Sequence, residues 1–294
     1  MATNFTGKIE EGGEFEPEAN RYILYVALGC PFAHRTLIVR KLKGLEDVIG
    51  LSVVNAYLGK DGWFFVTPEE CPGAIPDPVN NFKLLREAYF LTDPNFAGRI
   101  TVPVLFDKKT NRIVNNESSE IVRILGTKFN KLAKYPEVDL YPSDIADEID
   151  ALNEKFQVGI NSSVYIAGFA TSQEGYDKGA RLAYKSLLEL EDLLSKQEGS
   201  FLFGDRITEA DVRLFPTLIR FDPVYTVLYK CNLIRVQDLP FTSAWLKRFL
   251  DAKGVRETVN MTHIKKTYFI SVNQEAANPH KIVPLYNGPL FPSD

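Results

Sequence analysis

The chain has 294 residues, with 34 lysines and arginines against 38 aspartates and glutamates, a net charge of −4 and a pI near 5.6. That balance supplies no basic face for nucleic acid, and no run of about 18 apolar residues is present to cross a bilayer. With 45% hydrophobic and 24% charged residues, the composition is that of an ordinary globular protein, and the length corresponds to about two domains at roughly 150 residues each.

In chain order, residues 1–20 are acidic, glycine-rich and without an apolar core segment. They predict an extended or partly ordered arm, and neither a secretory signal nor a transit peptide. Tyr22-Ile23-Leu24-Tyr25-Val26, aromatic and β-branched, predicts a strand. It ends at Gly29-Cys30-Pro31. From 31 to 43 the apolar residues Phe32, Leu37, Ile38 and Leu42 recur at helical spacing. Pro31 suits the first helical position, where its missing N–H would have no partner, and Gly44 supplies a stop. Residues 48–55 predict a second strand. The stretch 57–97 holds Trp63, Phe64, Phe65 and five prolines, with one short helical segment expected near 82–89. A connection this long inside a compact domain points to function. Residues 100–106 predict a strand interrupted by Pro103, and Lys108-Lys109-Thr110-Asn111 turns it into a hairpin with Ile113-Val114. Residues 116–120 form a capped helix start.

Beyond about 140 the pattern is helical, with helices expected over 143–160, 173–196, 208–221 and 241–250. Thr208-Glu209-Ala210-Asp211 has the form of a capping box, with Ile207 and Val212 placed as a hydrophobic staple. Its reading is structural. From about 271 the chain becomes a proline- and asparagine-rich tail, and its last residues, Pro292-Ser293-Asp294, are not a peroxisomal address. The expected plan is an α/β domain followed by an all-α domain: an arm over 1–20, an α/β domain over 21–130 with an insertion at 57–97, a helical domain over 140–270 and a tail over 271–294.

Three widely spaced cysteines, Cys30, Cys71 and Cys231, argue against a secreted disulfide framework and favour a reducing, cytoplasmic setting. His34, His263 and His280 lack metal-ligand spacing, so no metal is expected. Cys30 lies between a strand and the first turn of a helix. There the unpaired N–H groups and the positive end of the helix dipole stabilise an anion and lower a thiol pKa from about 8.5. Position alone also permits a buried, inert cysteine; Pro31 and the strand at Pro103 favour the reactive reading. Cys71 and Cys231 read as structural. In Cys30-Pro31-Phe32-Ala33, alanine stands where a dithiol oxidoreductase carries its second cysteine. A mixed disulfide at Cys30 then has no local resolving thiol and must be released by an external one, for which cytosolic glutathione is the abundant candidate.

Two further segments bear on that site. Proline in mid-strand is anomalous. A cis Val102–Pro103 bond would explain it and free the Val102 backbone for an extended peptide, while an edge-strand trans proline is the alternative. Near the helix start, Ser118 and local N–H groups could hold a carboxylate and Glu117 an ammonium, the two charges of a γ-glutamyl group. Ordinary capping by Asn116 or Ser118 explains the same residues.

Together these pieces resemble the glutathione transferase superfamily, in which a thioredoxin-like domain precedes a helical one. More narrowly they are similar to the glutathionyl-hydroquinone reductases, the Xi class, formerly grouped with omega-like transferases. The resemblance is carried by GCPFAHRT (29–36), DGW (61–63), GRITVPVL (98–105) and IVNNESSE (113–120) in the first half. In the second it is carried by VYIAGFA (164–170), LFGDR (202–206), RFDPVY (220–225), KCNL (230–233) and HIK (263–265). It runs from about Arg21 to the late residues. Members usually carry tryptophan where this chain has Phe32.

The resemblance implies Cys30 as nucleophile and Trp63 covering glutathione from the insertion. It implies Arg99, Ile100, Thr101 and Val102 against the peptide backbone, and Glu117 and Ser118 at the γ-glutamyl end. Tyr165, Tyr225 and Tyr268 would project from the helical domain and hydrogen-bond a quinol oxygen. Without the family these tyrosines read as amphipathic helix residues with a wet tip. The implied co-substrate is glutathione, the implied substrate a glutathionylated aromatic, and the implied assembly a homodimer without nucleic acid, membrane or metal. Two other readings share the plan: an omega-type thioltransferase or dehydroascorbate reductase, and a non-catalytic binder of aromatic ligands on the same fold.

Overall fold

The computed structural model describes residues 4–292; the first three residues of the expected arm and the last two of the expected tail lie outside the described residues. The chain forms two compact units, 1–139 with 257–273, and 140–256 with 274–294.

The first unit is built on a four-stranded sheet in the order β2-β1-β3-β4. Strand β1 (Tyr22–Val26) is buried along its whole length, as its apolar run requires. Helix α1 (Pro31–Leu42) leads to β2 (Gly50–Val53), which lies parallel to β1 with Ile23 opposite Gly50 and Val26 opposite Val53. A short helix α2 (Arg86–Thr92) sits slightly later in the chain than its sequence pattern suggests. Strand β3 (Val104–Asp107) runs antiparallel to β1, and β4 (Arg112–Asn115) antiparallel to β3. Asn111 makes the hairpin turn at φ +58°. The strand expected from residue 100 begins only at Val104, because Pro103 has no N–H to give the ladder. Helix α3 (Ser118–Thr127) completes the unit's core.

The insertion is folded onto this frame. Asp77, 2% exposed, accepts from the Tyr25 hydroxyl of β1 at 2.9 Å and from the N–H groups of Val79, Asn80 and Phe82 at 3.1, 2.9 and 3.2 Å. One carboxylate therefore anchors the loop to the sheet and shapes its turn.

A buried ion pair closes the bottom of the sheet. The Arg21 guanidinium donates to Asp107 at 2.9 and 2.8 Å, with Asp107 fully buried. Burial alone would push the Asp107 carboxyl up; Arg21, the Thr110 hydroxyl and the Lys109 N–H outweigh it and hold it below the ordinary carboxylate range. Its folded pKa is depressed, so its contribution to stability is present above the unfolded pKa and lost as pH falls through the folded one. Asp107→Asn leaves the buried Arg21 with only the exposed Glu18 carboxylate, 3.6 Å away, as counter-charge and is expected to cost about 3 kcal/mol at neutral pH. Urea melts at a series of pH values check this: the gap to wild type must narrow in acid, where the wild-type carboxylate is also neutral.

The second unit is helical, as expected. Helix α4 (Ala146–Phe156) continues through a π turn (Gln157–Ser162) into α5 (Ser163–Gly168). The sequence suggests one helix ending near 160, but the π turn carries it further. At the turn Gly159 lies against Ser186, where a Cβ would come within 2.3 Å of the hydroxyl. Helix α6 (Gln173–Lys196) starts at Ser172, whose side chain accepts from Gly175 N–H at 3.1 Å. Helix α7 (Glu209–Arg220) opens on the expected capping box: Thr208 N–H donates to Asp211 at 2.9 Å. Asp211 also accepts from the Trp245 indole at 2.9 Å, which joins the cap to helix α8 (Pro240–Asp251).

The boundary at the end of the helical unit differs from the sequence expectation. Helix α9 (Met261–Phe269), expected within a helical domain reaching 270, belongs to the first unit. The Thr267 hydroxyl donates to Ala56 O at 2.6 Å, Ser271 Oγ accepts from Leu58 N–H at 2.8 Å, and His263 Nε2 lies 2.8 Å from Pro72 O. These bonds satisfy backbone groups of the loop after β2.

Candidate functional site

Cys30 is the N-cap residue of α1, in extended conformation (φ −77°, ψ 124°), with Pro31 as the first helical residue. The half-buried Sγ lies 3.7 Å from Val102 O. The Val102–Pro103 bond is cis, as one of the two sequence readings had it. The thiol and the segment entering β3 are thus brought together by α1 and the sheet, at a helix terminus suited to an anion.

Around them, Val102 is buried, Ile100 and Thr101 are half-buried and Arg99 is exposed. Phe32 is half-buried, and the buried Arg35 guanidinium sits 4.7 Å from its ring centroid, a cation–π contact. Arg35 Nη1 also reaches Ser118 Oγ at 3.4 Å, tying α1 to the start of α3. Sequence reasoning missed Arg35; its one-helical-turn spacing from Phe32 was the available signal. The cap of α3 is neither Asn116 nor Ser118. Glu117 takes it, Oε1 accepting from Ser119 N–H at 3.2 Å. Ser118 becomes the first helical residue, buried.

Trp63 is half-buried and directly follows a tight turn in which Gly59 and Gly62 exchange both backbone hydrogen bonds, at 3.1 and 3.2 Å, with Gly62 at φ +98°. Its carbonyl accepts from Leu85 N–H at 2.9 Å, which fixes the turn on the insertion's second limb.

Of the three tyrosines, Tyr268 is on α9 and so in the first unit, not in the helical one as expected. Tyr165 and Tyr225 are in the second unit, within one aromatic cluster. Their ring centroids are 6.0 Å apart, and Tyr229, absent from the sequence expectation, stacks on Tyr225 at 5.6 Å and 16°. Phe169, half exposed, stacks on Tyr165 at 6.1 Å and 19°. The pairs 165/169 and 225/229 are each one helical turn apart, a spacing that could have revealed them. The π turn over Gln157–Ser162 lies just before Tyr165, and a second, over Phe221–Tyr225, ends on Tyr225; such turns recur at functional sites. Gly168 lets the Tyr229 ring lie on the backbone, since a Cβ there would come within 2.3 Å of it.

The other cysteines differ from Cys30. Cys231, 3% exposed, has its thiol pushed up to about 12 by burial. Cys71 is 5% exposed, 3.7 Å from His263 Nε2. Iodoacetamide at neutral pH is expected to alkylate Cys30 and spare Cys231, because the thiolate is the reacting form; peptide mapping of the intact, folded protein checks it.

Two family descriptions match the chain: "Glutathione S-transferase, N-terminal domain" over residues 29–128 and "Glutathione S-transferase, C-terminal domain" over 173–248. A glutathione S-transferase omega-like 2 of Schizosaccharomyces pombe is 47% identical over 94% of this chain and 88% of its own. The glutathionyl-hydroquinone reductase PcpF of Sphingobium chlorophenolicum is 42% identical over 99% of this chain and 89% of its own.

The chain belongs to the glutathione transferase family.

Its likeness falls in the Xi-class branch of that family, as the sequence resemblance implied. The crystal structure of the Xi glutathione transferase ECM4 from Saccharomyces cerevisiae, in complex with glutathione, superposes with a TM-score of 0.93 at 34% identity, covering all of both chains. The thioredoxin-like sheet of this transferase and its helical second half are those of the family. No helix among its described residues is long and apolar enough to cross a membrane.

Proposed function

We propose that this transferase reduces glutathionyl-hydroquinones with glutathione, through a mixed disulfide at Cys30. What carries the reading is a cysteine at the N-cap of α1, its sulfur 3.7 Å from the carbonyl preceding a cis-proline, with alanine at position 33 where a resolving cysteine would stand. The 42% identical relative named a glutathionyl-hydroquinone reductase and the glutathione-bound Xi-class neighbour support it.

In the first step the Cys30 thiolate attacks the sulfur of the glutathionyl-hydroquinone. A sulfur–sulfur bond forms, the carbon–sulfur bond breaks, and the ring carbon takes a proton to leave as the hydroquinone. The sulfur is oxidised and the ring carbon reduced. In the second step a glutathione thiolate attacks the mixed disulfide, releasing glutathione disulfide and restoring the Cys30 thiolate. Serine or tyrosine at this place would stabilise the glutathione thiolate for conjugation; cysteine attacks the sulfur itself.

In this reading Val102, Thr101, Ile100 and Arg99 bind the peptide backbone, and Trp63 covers the tripeptide. Ser118 and the N–H groups of α3 take the γ-glutamyl carboxylate, and Glu117, with one oxygen committed to the cap, takes the ammonium. Tyr165, Tyr225 and Tyr268 serve the quinol oxygens and the proton. The protein works as a cytoplasmic homodimer without a metal. Mass spectrometry after mixing with a glutathionylated quinol tests the mechanism: a single glutathione adduct on residue 30 is expected, and none, or one mapped elsewhere, overturns it.

The 47% identical relative with an omega-like name keeps a second reading in view, a thioltransferase or dehydroascorbate reductase with the same nucleophile. Parallel rates on a small mixed disulfide, dehydroascorbate and a glutathionyl-quinol separate the two; the last must be the fastest if the proposal holds.

A further inference from the structure

Tyr89 is fully buried on α2, and the proposed chemistry gives it no role. Its hydroxyl is the meeting point of the two segments proposed to hold glutathione. It donates to Thr101 O at 2.8 Å and accepts from Thr101 N–H at 3.2 Å; Asn116 Nδ2 donates to it at 3.2 Å. Thr101 adjoins Val102, and Asn116 adjoins Glu117. One phenol therefore sets the spacing between the peptide-binding segment and the γ-glutamyl end.

The N-terminal arm closes this junction from outside. Asn116 Oδ1 accepts from Phe5 N–H at 2.8 Å, and Asn116 N–H donates to Phe5 O at 3.2 Å. Thr6 pairs with Asn115 in an isolated antiparallel bridge, and Gly7 N–H donates to Val114 O at 2.8 Å, so the arm is bonded to the edge strand β4. The Phe5 ring stacks on Phe96 at 5.2 Å and 18°, and meets Tyr89 at 5.8 Å. Phe96 in turn lies 5.0 Å from Tyr89. Asn115 Oδ1 accepts from Glu117 N–H at 2.8 Å, so the pairing of arm and β4 reaches the proposed ammonium partner itself.

We infer that Tyr89 is a positioning residue for glutathione and that Phe5 is the latch that keeps its junction closed. The inference rests on the glutathione-binding reading of Thr101–Val102 and Glu117–Ser118. The hydroxyl acts on affinity for the tripeptide, because its bonds go to Thr101 and Asn116, the neighbours of the two segments proposed to hold it.

The test uses the full chain and S-methylglutathione, whose capped sulfur cannot form a disulfide. Calorimetry gives its Kd, and the iodoacetamide rate at Cys30 is measured beside it. Tyr89→Phe keeps the ring among Phe5 and Phe96 but removes the hydroxyl. Its Kd is expected to rise about tenfold, the effect of a buried donor and acceptor losing their partner, with the alkylation rate within about twofold of wild type. Phe5→Ala, which removes a half-buried ring from Tyr89 and Phe96, is expected to raise Kd about threefold in the same way. An unchanged Kd in both variants overturns the inference, as does a parallel fall in affinity and alkylation, the mark of general damage. Wild type that fails to bind S-methylglutathione overturns the glutathione reading itself, and is distinguishable because it needs no variant.

Discussion

Cys30→Ser is expected to lose turnover of a glutathionyl-hydroquinone by roughly 10³-fold or more, the scale on which removing a nucleophile acts. The reason is electronic as well as geometric. A helix N-terminus can hold a thiolate near neutral pH, whereas a serine hydroxyl at the same N-cap stays protonated, and oxygen cannot enter the thiol–disulfide exchange that clears the enzyme. Serine is also a preferred N-cap residue, so the variant should fold and keep its affinity for glutathione. Steady-state rates on the quinol, with calorimetric binding of S-methylglutathione as control, check both halves. Full activity in the serine variant would end the proposed mechanism. A variant that binds glutathione and conjugates an electrophile, having lost the reductase activity, would support the directional argument about sulfur and oxygen.

Gly29→Ala should be among the most damaging single-methyl additions in the first unit. A Cβ built on Gly29 would lie 1.8 Å from Thr267 Oγ1, 2.4 Å from Thr267 Cβ and 2.8 Å from the His263 carbonyl oxygen. Two of those neighbours are not flexible ends of side chains: one is the backbone of α9, and the other the branch point of a residue held through Ala56 O at 2.6 Å. Relief requires α9 or the Cys30 turn to move. Overpacking of this kind costs about 3 kcal/mol at the upper end of its usual range, or roughly 6–12 °C in the first unit's melting transition. Because the residue adjoins Cys30, the alkylation rate should fall as well. Gly126→Ala is the contrasting control. It is in α3, and nothing lies within 4 Å of its added Cβ, so alanine there is expected to stabilise by about 0.5–1 kcal/mol through helix propensity. Scanning calorimetry on the two variants must give shifts of opposite sign.

Most of the fold was legible because its signals are local. The apolar run at Tyr22–Val26, proline at the first position of α1, the Thr208–Asp211 capping box and the amphipathic span of α6 each encode their own element. The candidate nucleophile was legible for the same reason: strand, Gly-Cys-Pro and helix are contiguous, and Ala33 is three residues away. Boundaries failed where a residue's partner was distant or its periodicity broke. The π turn after Phe156 has neither period expected of a helix or strand, which hid α5.

The sequence by itself therefore determined the two-part plan, the family resemblance and the placing of Cys30 at the start of a helix, because these depend on residues a few positions apart. Tertiary structure alone decided that α9, with Tyr268, packs in the first unit; that Glu117 rather than its neighbours caps α3; and that Tyr89 joins Thr101 to Asn116. Each of those depends on groups brought together by the closure of long loops, where a backbone donor or acceptor takes whichever buried partner the packing presents. Spacing along the chain carries no record of that choice.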